Sequence, residues 1–146
     1  MANASTDPAT GKNSAIKADL GSYICGMVPR RKGGWILVRE DGLSALDLGT
    51  GRLQLQHLVN PEPDQPDNML NDAKCDRQGR LWTGSFDKRD THPTGNHYVI
   101  DKKLQVTRVA DSLICSNGPA FSPDGHIAYL ADSNGRTIYR LYIDLT

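Results

Sequence analysis

The sequence predicts an all-β chain in which short strands recur in a repeated pattern. Helical periodicity is nearly absent, and short β-rich runs are separated by Gly, Pro, Asn and Asp. Asp and Gly in these turns favour tight hairpins, because Asp accepts hydrogen bonds from the backbone that follows it and Gly tolerates positive φ. The candidate strands are residues 35–39, 43–47, 53–58, 73–75, 81–85, 97–100, 105–109, 118–121, 127–131 and 137–142.

Two sequence elements recur along the chain. One is a turn followed by an apolar strand, and it occurs at residues 32–38, 76–84 and 122–131. The other is a polar turn, and it occurs at residues 7–12, 47–52 and 101–104. The elements recur about every 40 to 54 residues, which is the length of a four-stranded propeller blade. The repeat therefore predicts a β-propeller arrangement, with about three blades in this chain.

The repeat also predicts where the chain lies within a ring of blades. The turn at residues 7–12 belongs late in a blade, so the chain is expected to start inside one and to stop at the end of a strand, at residues 144–146. This divides the sequence into a polar N-terminal segment, residues 1–14, and an incomplete propeller domain, residues 15–146. Blades bury their faces only against neighbours, so the open faces predict self-association. A self-contained β-sandwich with coincidental repeats is the alternative fold.

Composition narrows the range of partners and compartments. Lys plus Arg and Asp plus Glu both number 17, and this zero net charge gives no support for binding nucleic acid or an anionic membrane. No apolar stretch is long enough to cross a bilayer, and residues 1–14 lack the apolar core of a secretory signal. The three cysteines form no Cys-x-x-Cys pair and are predicted to be small buried side chains. These features predict a cytoplasmic protein.

Several conspicuous residues are interpreted structurally. None of the four histidines has a metal-ligand spacing, and His92 is interpreted as a solvated loop residue. Trp35 and Trp82 follow turns at equivalent repeat positions and are predicted to pack between blades. Asp132 is predicted to cap a turn, while Asp72 and Lys74 are assigned to a turn or a strand edge.

Three stretches are more specific than the repeat. They are residues 21–35 followed by 40–43, residues 68–84 containing Asn-Asp-x-Lys, and residues 114–125 containing Ser-Asn-Gly, followed by 129–133. In order and spacing they resemble the gluconolactonase/regucalcin (senescence marker protein) family, over nearly the whole chain from Asp7 onward. On local turn chemistry alone, Asn71-Asp72 and Ser116-Asn117-Gly118 would be ordinary turns.

The resemblance implies a six-bladed propeller with one divalent metal ion in its central channel and hydrolysis of sugar lactones as its activity. Asn117 would be the Ser-Asn-Gly metal ligand, and Asn71 would contact metal, water or substrate. The family's early ligand Glu and its later Asp, the presumed general base, have no counterpart in this chain. Met69 replaces the Arg that the family has two residues before the Asn. The resemblance therefore places no catalytic residue in this chain.

The chemistry of these residue types agrees with that assignment. A hard cation such as Ca²⁺ or Mg²⁺ prefers oxygen ligands, and Asn offers an uncharged carbonyl oxygen. Ca²⁺ is the favoured ion, with Zn²⁺, Mg²⁺ or Mn²⁺ as alternatives. Neither amide can act as a base near neutral pH. The sequence therefore predicts metal-dependent lactonase activity within a longer protein, and the alternatives are an inactive propeller fragment or a calcium-binding or scaffold protein.

Overall fold

The computed structural model describes the backbone of residues 2–17, 19–49 and 52–144, and this part of the chain forms thirteen strands and no helix. The predicted turn at 47–52 and the predicted strand end at 144–146 lie partly outside it. Strands β1 (Ala2–Thr6) and β2 (Asn13–Lys17) pair as an antiparallel hairpin. In the turn between them Asp7 accepts hydrogen bonds from the backbone N–H of Ala9, at 2.9 Å, and from the hydroxyl of Thr10, at 2.7 Å.

The remaining strands form three antiparallel sheets in which each strand pairs with the next along the chain. The first is β3 (Ile24–Pro29), β4 (Trp35–Arg39), β5 (Gly42–Gly49) and β6 (Arg52–Val59). The second is β7 (Asn68–Cys75), β8 (Leu81–Asp87), β9 (Gly95–Ile100) and β10 (Val106–Leu113). The third is β11 (Ser116–Phe121), β12 (Ile127–Asp132) and β13 (Thr137–Tyr142). This meandering order is that of propeller blades.

The apolar core lies between successive sheets. One cluster joins Val38 and Leu43 of the β3–β6 sheet to Leu70 and Leu81 of the β7–β10 sheet. A second joins the β7–β10 and β11–β13 sheets and contains Trp82, Val99, Ala128 and Leu130. Each face of the β7–β10 sheet is thus buried against a different neighbour, as in a row of blades. The prediction of an all-β partial propeller with about three blades is confirmed, and the two-sheet sandwich is excluded.

The first strands of the three sheets, β3, β7 and β11, pack side by side and position the candidate site. In a propeller the first strand of each blade lines the central channel. Sequence analysis missed β1, β2 and β3, and also the first five residues of β7. A Gly interrupts the apolar run of β3 and a Pro ends it, while polar Asn and Asp interrupt that of β7, so neither strand gives a periodic signal.

Two predictions about single residue types meet different outcomes. Trp82 is buried, as predicted, and its ring packs edge-on against Phe121 across the sheet interface with centroids 5.5 Å apart. Trp35, at the start of β4, is only half-buried and belongs to neither core cluster. The prediction that all three cysteines are buried is wrong, because Cys75 is exposed and Cys25 and Cys115 are half-buried. Cys75 is the last residue of β7, where the sheet ends in solvent. Across the described ranges, no helix long and apolar enough to span a bilayer is found.

Candidate functional site

Asn71 and Asn117 lie together where β7 and β11 meet. The Asn71 amide nitrogen donates a hydrogen bond to Asn117 Oδ1 at 2.9 Å and another to the Ser116 carbonyl at 3.0 Å. Both side chains are half-buried, so they face an accessible surface. Asn71 Oδ1 accepts no hydrogen bond within the described ranges. The structure thus brings together the two residues that the sequence singled out and leaves amide oxygen available for a ligand.

The Asn117 side chain is held from its other end as well. Its nitrogen donates to Ser133 Oγ at 2.8 Å and approaches Cys115 Sγ at 3.6 Å. Burial, and then the nearby carboxylates of Asp90 and Asp132, raise the pKa of the Cys115 thiol, so the sulfur is a neutral acceptor. The side-chain nitrogens of Asn71 and Asn117 both donate to protein atoms. The orientation of the Asn117 amide, and so the direction of its oxygen, is therefore fixed.

Behind this pair lies a buried histidine. His97 is fully buried, and its Nδ1 is 2.8 Å from the hydroxyl of Ser116, the residue before Asn117. Gly84 makes this packing possible, because a Cβ there would overlap the Ser116 side chain and come within 2.9 Å of His97 Nδ1. Burial lowers the pKa of His97 to about 4, so the ring is neutral at physiological pH. Its Nε2 has no hydrogen-bond partner among the residues that the structure describes.

A second polar cluster surrounds Glu62, which is 7% exposed. Its Oε1 accepts hydrogen bonds from the Ser85 hydroxyl at 2.6 Å, from the Asn96 amide at 2.6 Å and from the Tyr98 hydroxyl at 2.9 Å. Its Oε2 accepts one from the Asn68 amide at 3.2 Å. Because four donors already surround this carboxylate, it anchors the 60–67 connection to the β7–β10 sheet.

The carboxylates nearest the pair along β12 and the 87–95 loop serve as caps. Asp132 accepts hydrogen bonds from the backbone N–H groups of Ile114 at 3.0 Å, Cys115 at 2.9 Å and Gly135 at 3.0 Å. Burial raises its pKa, but these N–H groups outweigh that effect and hold the pKa below its usual value. Asp132 is thus a cap, as predicted. His92 is an exposed loop side chain, as predicted, and lies 3.2 Å from the buried Asp87 carboxylate.

The number and type of possible metal ligands around the amide pair determine how well the site suits a metal ion. No group of three or more His, Cys, Asp or Glu side chains able to hold a metal is found among the described residues. Asn71 and Asn117 supply two neutral oxygens, which suit a hard cation as part of a ligand set. A dication gains most from carboxylates, so the pair fits as a portion of a metal site.

A family model described as SMP-30/Gluconolactonase/LRE-like region matches residues 3–146. The chain belongs to this family. An uncharacterized protein of Sulfolobus acidocaldarius is 32% identical over 124 residues, which are 85% of this chain and 44% of that protein. The 6-deoxy-6-sulfogluconolactonase of Pseudomonas putida is 30% identical over 140 residues, which are 94% of this chain and 46% of that enzyme. This SMP-30/gluconolactonase chain therefore spans about half the length of the curated relatives it matches.

A solved structure shows the same fold. The structure titled as a calcium-binding protein, regucalcin, from Agrobacterium tumefaciens superposes with a TM-score of 0.86 at 24% sequence identity. The match covers 98% of this chain and 47% of that one. At this identity the likeness establishes the fold, and it agrees with the sheets described above.

Sequence reasoning missed three parts of the site of this SMP-30/gluconolactonase chain. Ser133 was inside a quoted motif, yet its contact with Asn117 spans 16 positions and follows from no local pattern. His97 had one usable signal, a polar ring in the otherwise apolar run that ends strand β9. Glu62, which lies between two prolines, had none, because its four donors come from β7, β8 and β9.

Proposed function

We propose that this chain forms part of the site of a metal-dependent hydrolase acting on sugar lactones. The observation that supports it is the Asn71–Asn117 pair, with the two amides joined at 2.9 Å on adjacent first strands. Family membership supports it as well, since a relative of similar sequence is named as a lactonase. A small sugar lactone is accordingly the proposed substrate.

In this proposal Asn117 Oδ1 ligates the divalent ion, and Asn71 Oδ1 ligates it too or binds water or substrate. Ca²⁺ is the proposed ion, because both donors are oxygens, with Mg²⁺, Mn²⁺ or Zn²⁺ as alternatives. When bound, such an ion polarises a lactone carbonyl. Asn71 orients Asn117 through their hydrogen bond, and Ser133 fixes the opposite end of the same amide. Neither amide takes up a proton, so the base is proposed to lie outside the described residues.

The isolated chain tests whether the amide pair binds metal or supports hydrolysis by itself. Two neutral oxygens attract a dication weakly, so calorimetry of the isolated chain should show no saturable binding of Ca²⁺, Mg²⁺ or Zn²⁺. Without a base, the rate of lactone opening loses a factor of about 10² to 10⁴, and gluconolactone hydrolysis should not exceed the buffer rate. Micromolar metal binding by the chain alone would reveal ligands other than those assigned here.

The role of Asn117 as a metal ligand is tested in a complete ring, made by joining the chain to the remaining blades of a family lactonase. Metal binding and hydrolysis should then appear. Asn117→Ala should weaken metal binding by about 10-fold to 100-fold or more. Losing a residue that only supports a metal ligand already costs about this much. Asn134→Ala is the matched control, since Asn134 lies near Ser133 and bonds instead to Asp90. Full activity in the Asn117→Ala ring would refute the assignment and leave Asn117 as a turn residue.

A further inference from the structure

A large cleft opens between the β3–β6 and β7–β10 sheets, beside the turns at 30–34, 76–80 and 101–104. Its volume is ≈ 1010 Å³, at the upper end of the ~300–1,000 Å³ usual for small-molecule sites. Both walls belong to complete four-stranded sheets of this chain, so the cleft is not the open edge of a sheet. The apolar lining includes Val28, Ile36, Leu58, Leu81, Ile100 and Leu104.

The cleft is separate from the amide pair. Cys75, at the end of β7, lies in its lining, whereas Asn71 and Asn117 do not. Four residues of extended strand separate Asn71 from Cys75, which corresponds to roughly 13 Å. The cleft therefore does not belong to the proposed lactone site, and an inference about it is independent of that proposal.

Positive charge collects at the rim. The described part of the lining contains four cationic side chains and one carboxylate: Arg30, Arg31, Lys32, Lys102 and Asp101. Arg30 is neutralised by Asp47, at 2.9 Å. Arg31, Lys32 and Lys102 make no ion pair within the described ranges. Since the whole chain has zero net charge, this excess is a local feature of the rim.

The Asp101 carboxylate forms no ion pair with these cations within the described ranges. It accepts hydrogen bonds from the backbone N–H groups of Lys103 at 2.8 Å and Gln105 at 2.9 Å, and so holds its own turn. An occupant of the cleft thus meets apolar walls inside and, at the mouth, three cations that have no ion-pair partner among the described residues. Apolar walls favour hydrocarbon, because contact with them removes apolar surface from water. The cations favour an anionic head and disfavour a cationic one.

We propose that this cleft binds a small amphiphilic anion, in which a carboxylate or sulfonate is attached to an apolar chain or ring. The apolar part lies between the two sheets, against Ile36, Leu58 and Leu104. The anionic head lies at the rim, beside Arg31, Lys32 and Lys102. A neutral ligand of the same length gains only the contacts with the walls.

Sodium decanoate and decyltrimethylammonium, below micelle-forming concentrations, are the matched probes. Calorimetry on the whole chain should show one saturable decanoate site that weakens as salt is added, and at least 10-fold weaker binding of the cation. The location is read from N-ethylmaleimide alkylation followed by peptide mass spectrometry. Decanoate should slow alkylation of Cys75 and leave Cys25 and Cys115 unchanged, because only Cys75 lines the cleft.

Charge reversal at neighbouring positions of one turn gives the sharpest comparison. Lys102→Glu should weaken decanoate binding about 10-fold, whereas Lys103→Glu, which lies outside the lining, should change it less than about 3-fold. Both positions are exposed, so folding of each variant is checked by circular dichroism against the unmodified chain. Equal binding of the two probes, equal effects of the two variants, or an unprotected Cys75 would each overturn the proposal.

Discussion

At the scale of single residues, the candidate site is organised by neutral groups. Two hydrogen bonds hold the Asn117 side-chain amide. Its oxygen accepts one from Asn71, and its nitrogen donates one to Ser133. Cys115, the third neighbour, is a protonated thiol. Such a site orients an oxygen without adding charge, which leaves the attraction for a cation to carboxylates elsewhere.

His97 links this site to the stability of the fold and leads to a pH prediction. Its pKa in the folded chain is lowered to about 4 by burial, whereas an unfolded His titrates near 6.5. Between these values the unfolded chain binds the extra proton, so the free energy of unfolding falls as pH drops from about 6.5 to 4. The contribution is complete above pH ~6.5 and amounts to about 3 kcal/mol at most.

Urea unfolding at several pH values measures this effect. His97→Gln keeps a hydrogen-bonding side chain without a titrating ring, so its unfolding free energy should change less between pH 6.5 and 4. His57→Gln is the control, because it makes the same substitution at an exposed position away from the buried site. If the His97→Gln chain keeps the full slope, the acid sensitivity comes from other groups.

At the scale of elements, the close approach of β8 and β11 depends on a missing side chain. Gly84 of β8 faces Ser116 of β11, and an added Cβ would overlap the Ser116 side chain. Gly84→Ala should therefore destabilise the chain by about 1–3 kcal/mol, the usual cost of overpacking. It should also separate Ser116 from His97, which nuclear magnetic resonance of the His97 ring would report.

Gly26 of β3 provides the matched substitution. An added Cβ at Gly26 would lie 3.4 Å from the Ala73 backbone nitrogen, which is ordinary contact, and its φ is not positive. Chemical denaturation should show a markedly smaller loss for Gly26→Ala than for Gly84→Ala. Equal losses would mean that general effects of replacing a strand glycine, and not the β8–β11 contact, determine the result.

At the scale of the whole molecule, the β11–β13 sheet presents an uncovered strand. Among the described residues β13 pairs only with β12, and Ile138 and Tyr142 are each 74% exposed. Unpaired backbone groups beside exposed apolar side chains favour association. Size-exclusion chromatography with light scattering should therefore show dimers or larger species of the isolated chain.

A charge on β13 tests whether this strand is responsible. Ile138→Lys removes the exposed apolar side chain and introduces a charge that opposes edge pairing, so it should shift the chain towards the monomer. Thr137→Lys adds the same charge at the neighbouring exposed position without removing apolar surface. A stable monomer in the unmodified chain would contradict the prediction, and equal effects of the two variants would point to net charge alone.

The sequence by itself determined the local features of this protein. Asp, Gly and Pro marked the turns, and the recurring turn-and-strand element established a row of blades, because backbone preferences act over a few residues. The Asn-Asp-x-Lys and Ser-Asn-Gly motifs selected Asn71 and Asn117 and gave the correct family. Strand β3 was not predicted, because its Gly interrupts the alternation of side chains on which such predictions depend and its Pro is typical of a strand end.

Only the tertiary structure decided which side chains meet. Asn71 and Asn117 are 46 positions apart, and their hydrogen bond exists because β7 and β11 pack as neighbouring first strands. Packing between sheets likewise joins His97 to Ser116 and shapes the cleft that Cys75 lines. Contacts of this kind depend on the angle and spacing of separate sheets, which follow from how all their buried side chains fit together and leave no periodic trace along the chain.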